Sequence, residues 1–89
     1  MKKGPLVLRA FSSLPRIKLL LCLKDKEKNV SELIKNCGLS QSAVSQHLKK
    51  LKNFGLVSCQ KKGKEIYYKL TKKTAAEIAK KLLVFYKSL

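Results

Sequence analysis

The stretch "LSQSAVSQHLKKL", from Leu39 to Leu51, decides the fold that this sequence predicts. Val44, Leu48 and Leu51 are spaced at i, i+4 and i+7, which is the inward stripe of a helix about three turns long. Ser40 stands where a serine caps such a helix. A solvated helix face would normally carry Lys and Glu, but the middle of the opposite face here does not. Its side chains are instead suited to hydrogen bonding with another molecule. That middle consists of Gln41, Ser42, Ser45 and Gln46.

A shorter helix precedes this one and is joined to it by a turn that contains glycine. Ser31 can cap the segment "ELIKNC", Glu32 is favourable in its first turn, and Gly38 ends it. Phe54 and Gly55 close the longer helix. Two short helices with this connection predict a helix-turn-helix whose second helix enters the major groove of DNA. Gln can bond adenine through two hydrogen bonds, and Ser can bond a base or a phosphate. The predicted contact residues are Ser40, Gln41, Ser42, Ser45, Gln46, His47 and Lys49.

The segment "LVSCQKKGKEIYYKL" predicts a β-hairpin directly after the helix-turn-helix. Its strands are expected over residues 56–60 and 65–70, with Ile66, Tyr68 and Leu70 on one face. The tip is rich in lysine around a glycine, as in a wing that contacts phosphates or a minor groove. Tyr67 and Tyr68 could stack on bases, but neighbouring strand residues point to opposite faces, so one of them is expected in the core. The predicted wing contacts are Lys61, Lys62, Gly63 and Lys64.

The charge balance points to a polyanionic partner. The chain has 89 residues, enough for one domain with a thin core, and carries 21 Lys and Arg against 5 Asp and Glu, a net charge of +16. Such a surface attracts nucleic acid first and an acidic membrane second. No apolar run approaches the roughly 18 residues that a membrane-spanning helix needs, so we predict double-stranded DNA as the partner and no membrane. The one histidine and the scattered acids offer no acid/base pair, so an enzyme is not expected.

The N-terminal segment and the cysteines bear on the compartment. The opening "MKKGPLVLRAF" is similar to a signal peptide, but Arg9 interrupts it and no small-residue cleavage site follows, so we place it in the mature fold. Next, Ser13 can cap a core helix that runs to Leu23.

The three cysteines have no paired spacing, which predicts no disulfide framework, no metal site and a reducing cytoplasm. We expect these cysteines to be packing residues, since a redox role requires exposure and a lowered pKa. They are Cys22, Cys37 and Cys59.

The C-terminal segment predicts a homodimer. Its apolar residues repeat at steps of three and four, and further apolar residues widen the stripe beyond one side of a helix. The alternative is that the whole stripe packs on its own domain. The segment "PLVLRAF" is a second apolar stretch that could join the C-terminal helix in a two-fold interface. The predicted interface residues are Leu6, Leu8, Ile78, Leu82, Phe85 and Leu89.

With these motifs in place, nearly the whole chain resembles the ArsR/SmtB-like winged-helix repressors. "FSSLPRIKLLLCL" is similar to the family's Leu-Ser-Asp-Pro-Thr-Arg-Leu-Arg-Ile-Leu segment, with Arg16 at the arginine and Pro15 displaced by one position. "VSELIKNCGLSQSAVSQHLKKLKNFGLV" resembles its helix-turn-helix, and "KKGKEIYYKL" resembles its wing. The resemblance implies a dimeric DNA-binding repressor that is often released by a metal ion or another signal.

Two departures from the family pattern concern metals. Members that sense soft metals carry Cys-x-Cys at the start of the first motif helix, where this chain has Asn29, Val30 and Ser31. Members that sense zinc at the dimer interface use Asp, His and Glu on the last helix, where this chain offers only Glu77. We therefore expect no bound metal and no cofactor, and the effector, if one exists, stays unknown.

Together these patterns predict a mostly α-helical fold with a small β-hairpin, a winged helix-turn-helix of order α-α-α-α-β-β-α. We expect residues 1–89 to form a single DNA-binding domain with N- and C-terminal dimerisation helices. The predicted function is a homodimeric, sequence-specific transcriptional regulator, a repressor, that binds an inverted repeat. The alternative is an architectural protein that coats DNA with little sequence preference. Two roles are left open for His47, that of a boundary histidine and that of a phosphate contact.

Overall fold

The computed structural model describes residues 7–89 and has the predicted helices and hairpin. The fold class predicted from the sequence is confirmed. The first of the predicted helices is a 3-10 helix, the first strand of the hairpin extends to Lys62 rather than ending at residue 60, and the charged segment after the first α-helix contains one additional short strand. In chain order the elements are a 3-10 helix at Leu8–Ser12, α1 at Leu14–Cys22, β1 at Lys28–Asn29, α2 at Val30–Cys37, α3 at Gln41–Asn53, β2 at Val57–Lys62, β3 at Glu65–Leu70 and α4 at Thr74–Lys87.

Helix α1 lies at the centre and packs against α4, α2, α3 and the 3-10 helix. The inward stripe predicted on α3 is fully buried, as are leucines of α1 and α2 that meet it. Burial of these side chains supplies most of the stabilisation available to so small a domain. The fully buried hydrophobic residues are Ala10, Leu19, Leu20, Leu33, Val44, Leu48, Leu51 and Ala79.

Caps fix the turn between α2 and α3. Gly38 ends α2 with φ of 68°, a left-handed conformation that glycine adopts without strain. Ser40 caps α3 as predicted, and its Oγ accepts a hydrogen bond of 3.1 Å from the backbone N–H of Ala43. A serine cap of this kind contributes about 1 kcal/mol. The tight turn and the strong cap together set the direction in which α3 leaves α2.

The predicted cap of α2 at Ser31 is wrong. The cap is Asn29, whose Oδ1 accepts from the N–H of Glu32 at 2.8 Å, while the Glu32 carboxylate accepts from the N–H of Asn29 at 2.9 Å. This reciprocal capping box satisfies two N–H groups at once, which Ser31 could not do because Ile34, three residues later, has no side-chain acceptor.

The three strands form one antiparallel sheet with β3 in the middle. β1 pairs with β3 through Lys28 opposite Tyr68, and β2 pairs with β3 along its whole length. Gly63, with φ of 63°, begins the two-residue turn between β2 and β3, a place where a hairpin needs a positive φ. We call residues 57–70 the wing. A helix-turn-helix followed by this hairpin is a winged helix-turn-helix.

Candidate nucleic-acid interface

The outward side of α3 presents a continuous row of hydrogen-bonding side chains. Each of these residues is exposed, whereas Val44, Leu48 and Leu51 on the opposite side are fully buried. Because apolar burial fixes the rotation of the helix, the outward side chains stay available for contact with a ligand. We call this row the polar face; it consists of Gln41, Ser42, Ser45, Gln46 and Lys49.

Ser40 has a structural role at the edge of the polar face. Its Oγ is occupied by the cap bond to Ala43 and lies 3.3 Å from the Oγ of Ser42. The hydroxyl of Ser40 therefore orients the first turn of α3 and the Ser42 side chain. Its predicted contact with DNA stays a prediction.

His47 is half-buried and faces α1. The Nη1 atom of Arg16 lies 3.4 Å from Nδ1 of His47. Since a guanidinium can only donate, Nδ1 must accept in this contact, which puts the hydrogen of a neutral ring on Nε2. Burial lowers the pKa of His47 from its ordinary value, and the positive charges of Arg16 and Lys50 lower it further. The neutral form of His47 is therefore favoured in the folded protein.

Arg16 joins the N-terminal elements to α3. It is only 9% exposed, and its Nε and Nη2 atoms donate to the carbonyls of Ala10 and Arg9 at 3.3 and 2.9 Å. A buried guanidinium is tolerated when its N–H groups have acceptors of this kind. The sequence indicated Arg16 only through the family resemblance, because nothing in the spacing pairs it with His47.

The wing presents lysines that differ in their surroundings. Lys61, Lys62 and Lys64 are all exposed. Lys62 also forms an ion pair with Glu27, and its Nζ lies 5.3 Å from the centre of the Tyr67 ring. Because Lys62 already has a carboxylate partner, Lys61 and Lys64 are the better candidates for phosphate contacts. Nothing in the sequence pairs Lys62 with Glu27, because the two residues stand 35 positions apart.

The two tyrosines of β3 separate as expected for adjacent strand residues. Tyr68 packs against the hydrophobic core, and burial, followed by Cys59, raises its pKa. Leu70 also packs there, whereas Ile66 near the turn is exposed. Tyr67 lies on the other face of the hairpin beside Lys62.

An open apolar groove of about 300 Å³ runs between the start of α1 and the end of α4. Of the predicted dimer residues, Leu8, Ile78, Phe85 and Leu89 are exposed, by 70%, 42%, 63% and 86%. Leu82 is half-buried and packs against the core of its own domain. Leu6 lies outside the described residues. The groove is lined mainly by Phe11, Leu14, Ile17, Leu82, Phe85 and Tyr86.

Neither a metal centre nor a membrane segment is found in the part of the chain that the structure describes. Over residues 7–89 no three or more His, Cys, Asp or Glu side chains converge as metal ligands. Within the same residues no helix has the length and apolar character to cross a membrane.

The family model described as "Bacterial regulatory protein, arsR family" matches residues 15–58 of this chain, from α1 into β2. The transcriptional activator HlyU of Vibrio cholerae is 39% identical over 69 residues, which are 78% of this chain and 64% of that protein. The HTH-type transcriptional repressor SmtB of Mycobacterium tuberculosis is 38% identical over 72 residues, 81% of this chain and 53% of its own length. The chain thus spans between about half and two thirds of these relatives.

The crystal structure of the transcriptional repressor BigR from Xylella fastidiosa is similar to most of this chain. It has a TM-score of 0.80 and 31% sequence identity, over 90% of this chain and 82% of that one. The similarity therefore extends beyond the segment matched by the family model.

Proposed function

Because this chain belongs to the arsR family of bacterial regulatory proteins, we propose that it is a transcriptional regulator that binds double-stranded DNA at specific sequences. The family consists of regulators rather than enzymes, and the proposed activity is binding alone. We propose repression, since relatives such as SmtB and BigR are named repressors, although HlyU is named an activator. Such a regulator acts where the DNA is, and we propose the cytoplasm as its compartment.

The observation that carries this proposal is the polar face of α3. Its glutamine and serine side chains lie on the outward side of a capped helix, and the wing follows directly in the chain. A net charge of +16 supplies attraction to any DNA, whereas amide side chains supply preference between bases. The proposed contacts are Ser40, Gln41, Ser42, Ser45, Gln46, His47 and Lys49 of the turn and α3, and Lys61, Lys62, Gly63 and Lys64 of the wing.

We propose that the protein acts as a homodimer. Aromatic and aliphatic side chains at the end of α4 are exposed beside the apolar groove, and a second copy would cover both. Two copies of α3 would then face successive major grooves, about one helical turn of DNA apart, and bind an inverted repeat. The proposed interface comprises Leu6, Leu8, Ile78, Leu82, Phe85 and Leu89.

The test is selection of bound sequences from a random duplex pool with the wild type and Gln46→Ala. We expect an inverted repeat from the wild type, and for the variant a loss of about 1–3 kcal/mol and a flattened base preference at one position per half-site. Asn36→Ala is a matched control, since Asn36 is an exposed amide on α2, outside the proposed interface. Selection of no sequence by the wild type would contradict the proposal.

The high positive charge also keeps the architectural alternative open. A protein that coats DNA would bind one selected operator and random duplexes with similar affinity at the same salt concentration. A specific regulator should bind its operator at least roughly a thousandfold more tightly. Salt-matched competition between the two duplexes distinguishes these functions.

A further inference from the structure

Two cysteines from different helices meet where the first helix of the helix-turn-helix ends. Cys22 is the last residue of α1 and Cys37 is the last residue of α2. Their Sγ atoms lie 2.8 Å apart although the residues stand 15 positions apart in the chain. Both thiols are free and half-buried. An S–S bond of about 2.05 Å would require these atoms to approach by less than roughly 1 Å.

We propose that Cys22 and Cys37 form a reversible disulfide with a small-molecule disulfide as the oxidant, and that this bond ties α2 to α1. The thiolate of one cysteine attacks a sulfur of the oxidant, whose own S–S bond breaks to release one small thiol. The other cysteine then attacks the mixed disulfide, and the second small thiol leaves as the Cys22–Cys37 bond forms. The pair loses two electrons and two protons, and the oxidant is reduced to two thiols.

The surroundings of Cys37 govern the rate of this exchange. Burial, with a further contribution from the Cys22 thiol, raises the pKa of Cys37 to about 12, against the opposing effect of Lys18 and Lys28. Because the thiolate is the nucleophile, we expect slow exchange at neutral pH. The equilibrium depends instead on how closely the folded chain holds the two sulfur atoms, and this closeness favours the disulfide over two mixed disulfides.

The bond would close a loop that contains β1 and all of α2. Cross-linking the ends of such a loop restricts the unfolded chain and so stabilises the folded one. Because the sulfur atoms are already close, the bond should leave α3 in place. Oxidation should therefore preserve DNA binding, an expectation that rests on the proposed function.

The experiment uses the full chain with Cys59→Ser, which removes the third thiol, located beside Lys52 rather than at the pair. The protein is equilibrated in mixtures of reduced and oxidised glutathione, free thiols are alkylated, and the products are identified by mass spectrometry of proteolytic peptides. We expect a Cys22–Cys37 cross-link that persists in a roughly hundredfold excess of reduced glutathione. The oxidised protein should unfold at a temperature higher by roughly 5 °C or more.

Cys22→Ser and Cys37→Ser, each added to Cys59→Ser, are the controls and should give only a mixed disulfide at the remaining thiol. Independent glutathionylation of both cysteines without a cross-link would overturn the proposal, as would a cross-linked protein with unchanged thermal stability. Operator affinity should differ by less than about threefold between the two redox states, and release on oxidation would contradict the undisturbed position of α3. If neither state binds any duplex specifically, the proposed function fails while the thiol result stands by itself.

Discussion

At the scale of single residues, the contact between Arg16 and His47 supports one of the two roles that the sequence left open for His47, that of a boundary histidine. The ring accepts a hydrogen bond from a buried guanidinium that also holds the carbonyls of Arg9 and Ala10. His47 therefore serves to position α3 relative to α1 and the 3-10 helix, whether or not its Nε2–H also reaches a phosphate.

Substitution of His47 by two different residues tests this positioning role. His47→Gln offers a carbonyl oxygen to Arg16 and should retain stability, whereas His47→Ala leaves Nη1 of Arg16 without its acceptor and should cost about 1–2 kcal/mol. Urea unfolding of both variants provides the measurement. Should Ala leave stability unchanged but weaken DNA binding and lower its salt dependence, His47 would be a phosphate contact instead.

The pH dependence of stability is a second consequence of the same contact. Burial and the charges of Arg16 and Lys50 lower the pKa of His47, so the unfolded chain binds a proton more readily than the folded one. The stability that neutral His47 contributes is present above its ordinary pKa of 6.5 and is lost as pH falls through the lower pKa of the folded state. Unfolding free energies measured from about pH 7.5 down to pH 5 should decline in the wild type. His47→Gln should lack this component.

At the scale of elements, the lysines of the wing differ in their surroundings, although the sequence predicted the same role for all of them. Lys61→Gln or Lys64→Gln should weaken binding to all duplexes equally and lower the salt slope by about one unit for each phosphate that the protein no longer neutralises. Lys62→Gln should change the slope less, because Lys62 already pairs with Glu27. Affinity titrations over a series of salt concentrations measure the slopes, with Lys81→Gln on the exposed side of α4 as the control. Equal slopes for every variant would mean that the wing lysines are only solvated.

The elements that the sequence predicted best are those whose signals are local. The stripe of α3, the Ser40 cap, the stop at Gly38 and the turn at Gly63 each depend on residues within one or two turns of chain, and the structure has them all. β1 was missed because two residues in a charged run carry no periodicity, and the strand forms only through pairing with β3.

The contacts that the sequence did not predict join residues that lie far apart in the chain. Arg16 meets His47 across 31 positions, and Cys22 meets Cys37 across two helix ends. Each pair arises from the way α1 packs against α2 and α3, which no residue spacing records. The residues of the polar face could be predicted without information on helix packing, since the apolar stripe alone determines which side chains of α3 face outward.

At the scale of the whole molecule, a substitution near the end of α4 tests the proposed dimer better than a substitution at Leu82, in the middle of the apolar stripe. Leu82→Glu would place a carboxylate against the core of its own domain and could unfold the monomer, because Leu82 packs there. Phe85→Glu changes a side chain that is 63% exposed in the single chain. It should leave each domain folded while shifting the protein to monomer, with a large decrease in affinity for an inverted repeat.

Sedimentation equilibrium at tens of micromolar protein measures the oligomeric state, and circular dichroism measures whether the variant is folded. Lys81→Glu, a change at an exposed residue of α4 outside the groove, is the matched control and should remain dimeric. A wild-type protein that sediments as a monomer with and without operator would refute the proposed interface.

Asn29 belongs to two elements at once, since it pairs with Tyr67 in the sheet and caps α2. Strand pairing at β1 and the first turn of α2 therefore share one residue, and neither can open without disturbing the other. Transient opening of the wing and fraying of the helix-turn-helix should then be one cooperative event. In native-state hydrogen exchange, the amides of Glu32 and Tyr67 should share a single opening free energy, and Asn29→Ala should lower it for both.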